Sequence, residues 1–101
     1  MILAGHIDIP WEALAELCRT YHVRELSLFG SVLRDDFHAG SDIDILVEFE
    51  PGAPIGLIEY IGLQEELSDL LGRTVDLVSK RGLKRLIRDE VINASRVVYA
   101  A

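Results

Sequence analysis

SLFGSVLRDDFHAGSDIDILVE, residues 27–48, is the stretch that decides the fold of this chain. One apolar run ends at Gly30-Ser31, and a second apolar run opens at the Asp-Ile-Asp of residues 42–44. Side chains two positions apart in a strand point to the same side, so Asp42 and Asp44 share one face and the alternate apolar residues share the other. The stretch therefore predicts two strands joined by a short helix and a polar connection, with a pair of carboxylates at the start of the second strand.

The carboxylate pair indicates a cation. Two carboxylates about 4 Å apart repel by roughly 4 kcal/mol at an effective dielectric near 20, so a fold that presents such a pair needs positive charge beside it. Carboxylate oxygens without His or Cys ligands favour Mg²⁺ or Mn²⁺ over zinc, and such sites usually share the metal with substrate phosphates. Gly30 permits close approach of the backbone to a phosphate, and the amides that follow Ser31 can attract an anion at a helix start. Gly30, Ser31, Asp42 and Asp44 are thus candidate residues of a metal and phosphate site.

Gly-Ser, ten residues and Asp-x-Asp form a motif that resembles the DNA polymerase beta-like nucleotidyltransferase superfamily. The fuller wording, FGSxxR followed by SDIDxLVEF, closely resembles the minimal nucleotidyltransferases (MNT proteins), which are commonly the antitoxin halves of HEPN/MNT toxin–antitoxin pairs. The resemblance covers almost the whole chain. It implies an enzyme that uses Mg²⁺ or Mn²⁺ to transfer AMP from ATP to a tyrosine hydroxyl of its cognate HEPN ribonuclease. ATP and the HEPN toxin are then the expected partners, with a possible hetero-oligomer of antitoxin and toxin.

The resemblance also assigns roles to residues. Asp76, in the wording TVDLV, matches the third carboxylate of the superfamily, which ligates the catalytic metal and helps to deprotonate the attacking hydroxyl. Asp42 and Asp44 would then hold metals on the triphosphate. The competing interpretation of Asp76 is a polar residue at a strand edge.

Arg34 occupies the arginine position of FGSxxR. Its planar fork suits either the phosphates of the nucleotide or an ion pair with Asp35 or Asp36, and the sequence leaves both open. Relatives often carry glycine after this arginine, whereas this chain has Asp35, so the shape of the local loop is expected to differ.

Composition limits the possibilities further. The chain has 101 residues, half of them hydrophobic and 27% charged, which predicts one globular domain over residues 1–101. A net charge of −7 argues against general affinity for nucleic acid, since phosphate backbones favour clustered Lys and Arg. The single cysteine allows no internal disulfide, and there is neither an apolar run of membrane-spanning length nor a visible signal peptide. A cytoplasmic protein without membrane or nucleic-acid contact is expected.

The periodicity predicts a small α/β (α+β) domain, with a mixed sheet and helices packed on one face, as in the polymerase beta-like fold. Asp8 is expected to cap the first helix, and residues 1–6 to be an irregular lead-in. The fourth helix is expected to turn Leu83, Leu86, Ile87 and Val91 inward, and a basic face of Arg81, Lys84, Arg85 and Arg88 outward. The predicted order is a helix that follows Asp8 and has Pro10 in its first turn, a strand at 25–29, a short helix at about 31–36, a strand at 42–49, a helix at 57–71, a strand at 74–79, a helix at 81–93 and a strand at 96–99.

The sequence leaves three function classes open. The first is an adenylyltransferase antitoxin, and the second is a binding module that silences the toxin by stoichiometric complex formation. The third is a small-molecule nucleotidyltransferase, although the additional substrate-binding domain of such enzymes is not evident. Template-directed polymerisation is not expected, because no further lobe is seen to grip template and primer.

Overall fold

The structure is a computed structural model that describes residues 2–3, 7–33 and 40–101. Within these ranges no helix combines the length and the apolar character needed to cross a membrane. The strands are β1 Ile2–Leu3, β2 Ile7–Asp8, β3 Val23–Phe29, β4 Ile43–Phe49, β5 Val75–Ser79 and β6 Arg96–Ala100. The helices are α1 Trp11–Thr20, α2 Leu57–Leu71 and α3 Arg85–Ala94, and 3₁₀ turns cover Gly30–Leu33 and Lys80–Gly82.

Four of the strands form one mixed sheet in the order β5-β4-β3-β6. β3 lies antiparallel to both β4 and β6, whereas β4 and β5 are parallel. A parallel pair needs a crossover connection, and α2 supplies it. The predicted mixed sheet is confirmed, and the parallel pairing places the starts of β4 and β5 at the same end of the sheet.

The hydrophobic core lies between one face of this sheet, the core face, and the helices α1 and α2. Ile43, Ile45 and Val47 alternate along β4 on the core face and are fully buried, as their spacing predicts. The helices bury Leu14 and Cys18 of α1 and Leu63 and Leu67 of α2 in the same cluster. The prediction of helices packed on one face of the sheet is therefore confirmed, and the residues that alternate with the core set lie on the second face.

The start of α1 differs from the expectation. Asp8 does not cap the helix, because it lies in β2, which pairs antiparallel with β1 at Ile2–Leu3. The N-cap residue is Pro10, without a side-chain cap hydrogen bond. The expected irregular lead-in is wrong for Ile2–Leu3 for the same reason, since a two-residue strand is too short to show an alternation in sequence. The helix predicted at 57–71 is confirmed with the same bounds, and Gly72 is its left-handed C-cap residue.

The last helix is shorter and less buried than expected. It begins at Arg85, and no residue of it is buried. Leu86 is 96% exposed and Ile87 is 45% exposed, so the prediction that both point into the core is wrong. The reason is topological: α3 connects β5 and β6 at opposite edges of the sheet, and the core face is already covered by α1 and α2. The basic residues Arg85 and Arg88 are exposed, as expected.

The buried thiol of Cys18 gives a test of the core. Burial raises the pKa of Cys18 from 9.0 to about 12. The folded thiol keeps its proton to higher pH than the unfolded one, so the stability it contributes is complete below pH 9 and falls as the pH rises toward 12. We expect the free energy of unfolding, measured in urea, to fall more steeply over this range in the wild type than in Cys18→Ala. Equal slopes would contradict the burial of Cys18.

Candidate active site

The Asp-x-Asp carboxylates lie where β4 begins. Asp42 directly precedes the strand and is exposed, and Asp44 is its second residue and is half-buried. Between them, the Ile43 side chain enters the core while its N–H donates to the carbonyl oxygen of Thr74 at 2.9 Å. That hydrogen bond ties the start of β4 to the start of β5. The predicted alternation of carboxylate and core residue is therefore present.

Asp76 joins Asp44 through the register of the parallel pair. Asp44 is the direct partner of Asp76, and the neighbouring pair Ile45 and Leu77 is buried on the core face. Adjacent strands lie about 4.8 Å apart, and partners in register turn their side chains to the same face. The exposed Asp76 is thus brought beside Asp44 on the second face of the sheet, at the end where the sequence places the Gly-Ser turn.

Gly30 lies against the Asp44 carboxylate on the side of β3, opposite Asp76 on β5. It follows β3, whose last residue, Phe29, pairs with Asp44. Gly30 has φ +76, and a Cβ built on it would overlap the Oδ2 of Asp44 and lie 3.2 Å from its Cγ. The backbone at this position can adopt its shape and accept the Asp44 carboxylate only without a side chain.

The remaining sequence-predicted residues are less fully placed. Ser31 lies in the four-residue 3₁₀ turn Gly30–Leu33, where a short α-helix was expected. Arg34 and the rest of residues 34–39 lie outside the described residues. The structure therefore brings together Gly30, Asp42, Asp44 and Asp76, with Ser31 next to Gly30 in the chain.

The donor chemistry of this group fits a hard divalent cation, since it offers carboxylate oxygens at one end of the sheet. Among the described residues, no three Asp, Glu, His or Cys side chains converge closely enough to hold an ion as they stand. Asp42 and Asp76 are exposed, however, so both side chains can turn toward Asp44 at little steric cost. The residues present therefore fit Mg²⁺ or Mn²⁺ after a rotation of side chains.

A second pair of acidic residues on the same face was not predicted. Glu25 of β3 and Glu48 of β4 are partners in register, and Lys80 lies between them, with Nζ 3.3 Å from Glu25 and 3.8 Å from Glu48. The three side chains are 19–33% exposed, so the contacts are partly shielded from water. Lys80 follows β5, and only the folded sheet brings it to β3, so spacing along the chain gives no signal of this contact.

A cavity of about 480 Å³ lies away from the carboxylates, between α1 and α2. Glu16, Glu66 and Asp69 contribute acidic groups to its lining, beside the apolar Leu17 and Leu70. It includes none of the candidate site residues. Its size therefore carries no argument about catalysis.

A mixed four-stranded sheet, backed by two helices and carrying carboxylates beside a glycine turn, is the architecture of the minimal nucleotidyltransferases. The chain belongs to the nucleotidyltransferase domain family, which matches residues 12–98. It is accordingly an enzyme of the nucleotidyltransferase class. Members of this family generally use divalent metal ions.

Similar proteins support this membership. A protein adenylyltransferase, MntA, of Thermococcus cleftensis is 45% identical over 84 residues, which cover 83% of this chain and 81% of that protein. A solved structure assigned to a minimal nucleotidyltransferase is 38% identical, covers 84% of this chain and 85% of its own, and has a TM-score of 0.71. A complex of the tri-AMPylated HEPN toxin of Shewanella oneidensis with its MNT antitoxin is 24% identical, covers 90% of this chain and 70% of its own, and has a TM-score of 0.63. At that identity the last of these supports the fold alone.

The contact between Gly30 and Asp44 can be tested against a matched glycine. Gly30 and Gly52 share φ +76, but no atom lies within 4 Å of a Cβ built on Gly52. Gly52→Ala should therefore cost only the strain of left-handed backbone, about 1–2 kcal/mol. Gly30→Ala should cost more in urea unfolding and should also abolish nucleotide transfer, because the new methyl group displaces the Asp44 carboxylate. Equal losses of stability with transfer intact in both variants would contradict the contact.

Proposed function

We propose that this chain is a metal-dependent protein adenylyltransferase of the cytoplasm that acts as an antitoxin. It would transfer AMP from ATP to a tyrosine hydroxyl of a cognate HEPN ribonuclease toxin, using a single domain that spans residues 1–101. The observation that carries the proposal is the pairing of Asp44 with Asp76 beside Gly30. Support also comes from the 45% identical relative named as a protein adenylyltransferase, and from the similarity in fold to an antitoxin bound to its AMPylated HEPN toxin.

The roles proposed for the site residues combine the resemblance with the positions of those residues that the structure describes. Gly30 and Ser31 would receive the triphosphate at the end of β3, and Arg34 would supply positive charge to it. Asp42, Asp44 and Asp76 would hold Mg²⁺ or Mn²⁺. When bound, the metal stabilises negative charge on the phosphate oxygens and on the departing pyrophosphate.

The reaction is an in-line displacement. The acceptor oxygen forms a bond to the α-phosphorus, and the bond from that phosphorus to the oxygen bridging to the β-phosphate breaks. Pyrophosphate leaves with the electron pair, while the proton of the acceptor hydroxyl passes to the carboxylate of Asp76. Asp76 suits this role because it is exposed, whereas Asp44 is half-buried against Gly30.

A protein acceptor is favoured over a small molecule by the relative's name and by the surface of the chain. Leu57 and Ile58 at the start of α2 are 74% and 83% exposed, and large apolar side chains in contact with water are typical of a protein-binding surface. The same surface would also serve an antitoxin that acts by binding alone, so the two modes must be separated by experiment.

The first test removes the two motif carboxylates. Asp42→Asn with Asp44→Asn should abolish transfer and calorimetric binding of Mn²⁺, while the thermal stability without metal should stay the same or rise slightly, because a repelling pair is relieved. The control is Glu65→Gln with Asp69→Asn, which removes the same formal charge from exposed positions on α2. Stoichiometric binding of Mn²⁺ by the Asp42/Asp44 variant would contradict the assignment.

The second test separates catalysis from binding. Asp76→Asn should retain much of the affinity for Mg²⁺–ATP, which Gly30, Asp42 and Asp44 can still hold, but transfer should fall by about 10²- to 10⁴-fold with loss of the base. In cells that carry the toxin, this variant should fail to restore growth at matched protein levels, and the toxin should be recovered with an unmodified mass. Full rescue by Asp76→Asn with an unmodified toxin would show neutralisation by binding alone.

A further inference from the structure

The outer edge of β5 is covered by side chains of α2. β5 is an edge strand, since β4 is the only strand in the described part of the chain that pairs with it. Edge strands present unpaired N–H and C=O groups, and folded proteins shield them with charge, distortion or a covering element. Here the covering element is α2, which carries hydrogen-bonding side chains toward the strand.

Three residues of α2 bond to the backbone of β5. The hydroxyl of Ser68 accepts from the Val75 N–H at 3.0 Å, and the side-chain carbonyl of Gln64 accepts from the Leu77 N–H at 3.0 Å. The hydroxyl of Tyr60 donates to the Leu77 carbonyl oxygen at 2.6 Å. Positions 60, 64 and 68 are four residues apart, so they form one row along the helix, and we call Tyr60, Gln64 and Ser68 the α2 row.

The α2 row brackets Asp76. Val75 and Leu77 turn their backbone groups outward to α2, and Asp76 is the residue between them, in register with Asp44 of β4. Its two neighbours are therefore fixed from outside, while the parallel pairing fixes the strand from inside. A shift or rotation of β5 relative to β4 requires at least one bond of the α2 row to break.

The row is also close to the charge of Asp76. Burial raises the pKa of the Tyr60 hydroxyl, and the negative charge of Asp76 raises it further. Tyr60 therefore remains protonated at neutral pH, as it must to donate to Leu77. The Tyr60 ring lies 6.3 Å from the Phe49 ring, centroid to centroid, and packs against the hydrophobic core. This packing restricts the movement of the Tyr60 hydroxyl.

We propose that Tyr60, Gln64 and Ser68 are positioning residues that hold Asp76 level with Asp44 for removal of the acceptor proton. This inference rests on the proposed function, because it assigns the row to the transfer step. Misplacement of a reacting group by about 1 Å can cost about 10²-fold in rate, so a small freedom of β5 is sufficient to impair transfer. Nucleotide binding depends much less on the row, since most of the residues proposed to hold the nucleotide and its metal, Gly30, Asp42 and Asp44, lie beside β3 and β4 and not on β5.

The test compares three variants, each of which removes one side-chain bond to the backbone of β5. Ser68→Ala also removes the bond that the Ser68 hydroxyl donates to the Gln64 carbonyl oxygen within α2, at 2.9 Å. Tyr60→Phe removes the donor, Gln64→Met removes an acceptor at nearly constant length, and Ser68→Ala removes the hydroxyl. We expect kcat to fall about 10- to 100-fold, with the Kd for Mg²⁺–ATP changed less than 3-fold, and faster amide hydrogen exchange at Val75 and Leu77. Gln64→Glu and Ser68→Thr keep an acceptor, so they should restore kcat to within a few fold of the wild type.

The matched control is Tyr21→Phe, which also removes a tyrosine hydroxyl that lies against α2, in this case beside Gly62. It should leave kcat and the exchange of Val75 and Leu77 unchanged. All rates are measured on folded protein, below the onset of thermal unfolding, so that a loss of stability alone does not lower kcat.

The outcomes separate the two levels of the proposal. If the wild type transfers AMP and the variants Tyr60→Phe, Gln64→Met and Ser68→Ala do so at the same rate, the row is not a positioning device. Variants that lose stability with kcat intact lead to the same conclusion, because they assign the row to stability alone. A wild type that binds Mg²⁺–ATP, protects Val75 and Leu77 from exchange and transfers nothing would instead overturn the proposed function.

Discussion

The register of β4 against β5 is the constraint on which the site depends. It places two groups of like charge, Asp44 and Asp76, at the same level of neighbouring strands, which electrostatics alone disfavours. The opposing force acts on the other face, where Ile45 and Leu77 are buried as the next pair. A slip of one residue would turn those apolar side chains to the second face. Hydrophobic burial therefore fixes the register in spite of the repulsion between Asp44 and Asp76. The packing of the core thus brings two carboxylates together at a place where a bound cation would relieve their repulsion.

The second face shows two ways of managing like charge. Glu25 and Glu48 form an acidic pair across β3 and β4, and the fold places Lys80 over it from the connection after β5. That cation is part of the chain and holds the connection to the sheet. At Asp42, Asp44 and Asp76 we propose that the cation arrives with the nucleotide, so the electrostatic relief is coupled to substrate binding. The difference separates a structural acidic pair from the proposed catalytic group on the same surface.

Much of this arrangement could be predicted from local pattern. The alternation around Ile43 and Ile45 predicted which face the Asp-x-Asp carboxylates occupy, and the periodicity predicted the bounds of α2. The approach of Asp76 to Asp44 could be expected only from resemblance to a family, because strand order is not written in spacing. The contact of Gly30 with the Asp44 carboxylate likewise appears only when β3 and β4 are paired.

The errors share one cause, which is competition for surfaces that sequence does not show. Leu86 and Ile87 have helical spacing, yet α1 and α2 already cover the core face. The spacing of apolar residues does not show which helices cover that face. Asp8 has the chemistry of a cap, but its backbone is paired with Ile2 in the β1–β2 ribbon. Tyr60 lies within the helix predicted at 57–71, but only the folded chain shows that its hydroxyl lies opposite an edge strand and donates to Leu77.

An edge strand is a reasonable place for a group that, in the proposed function, acts on a large acceptor. A central strand is flanked by strands on both sides, whereas among the described strands β5 has a neighbour on one side alone, and Asp76 is exposed on the second face. The same freedom makes an edge strand easier to displace, because half of its backbone groups lack a partner within the sheet. The side chains of α2 supply those partners while Leu63 and Leu67 anchor the helix in the core. Through these bonds α2 restrains the backbone on both sides of Asp76, and the side chain of Asp76 stays accessible.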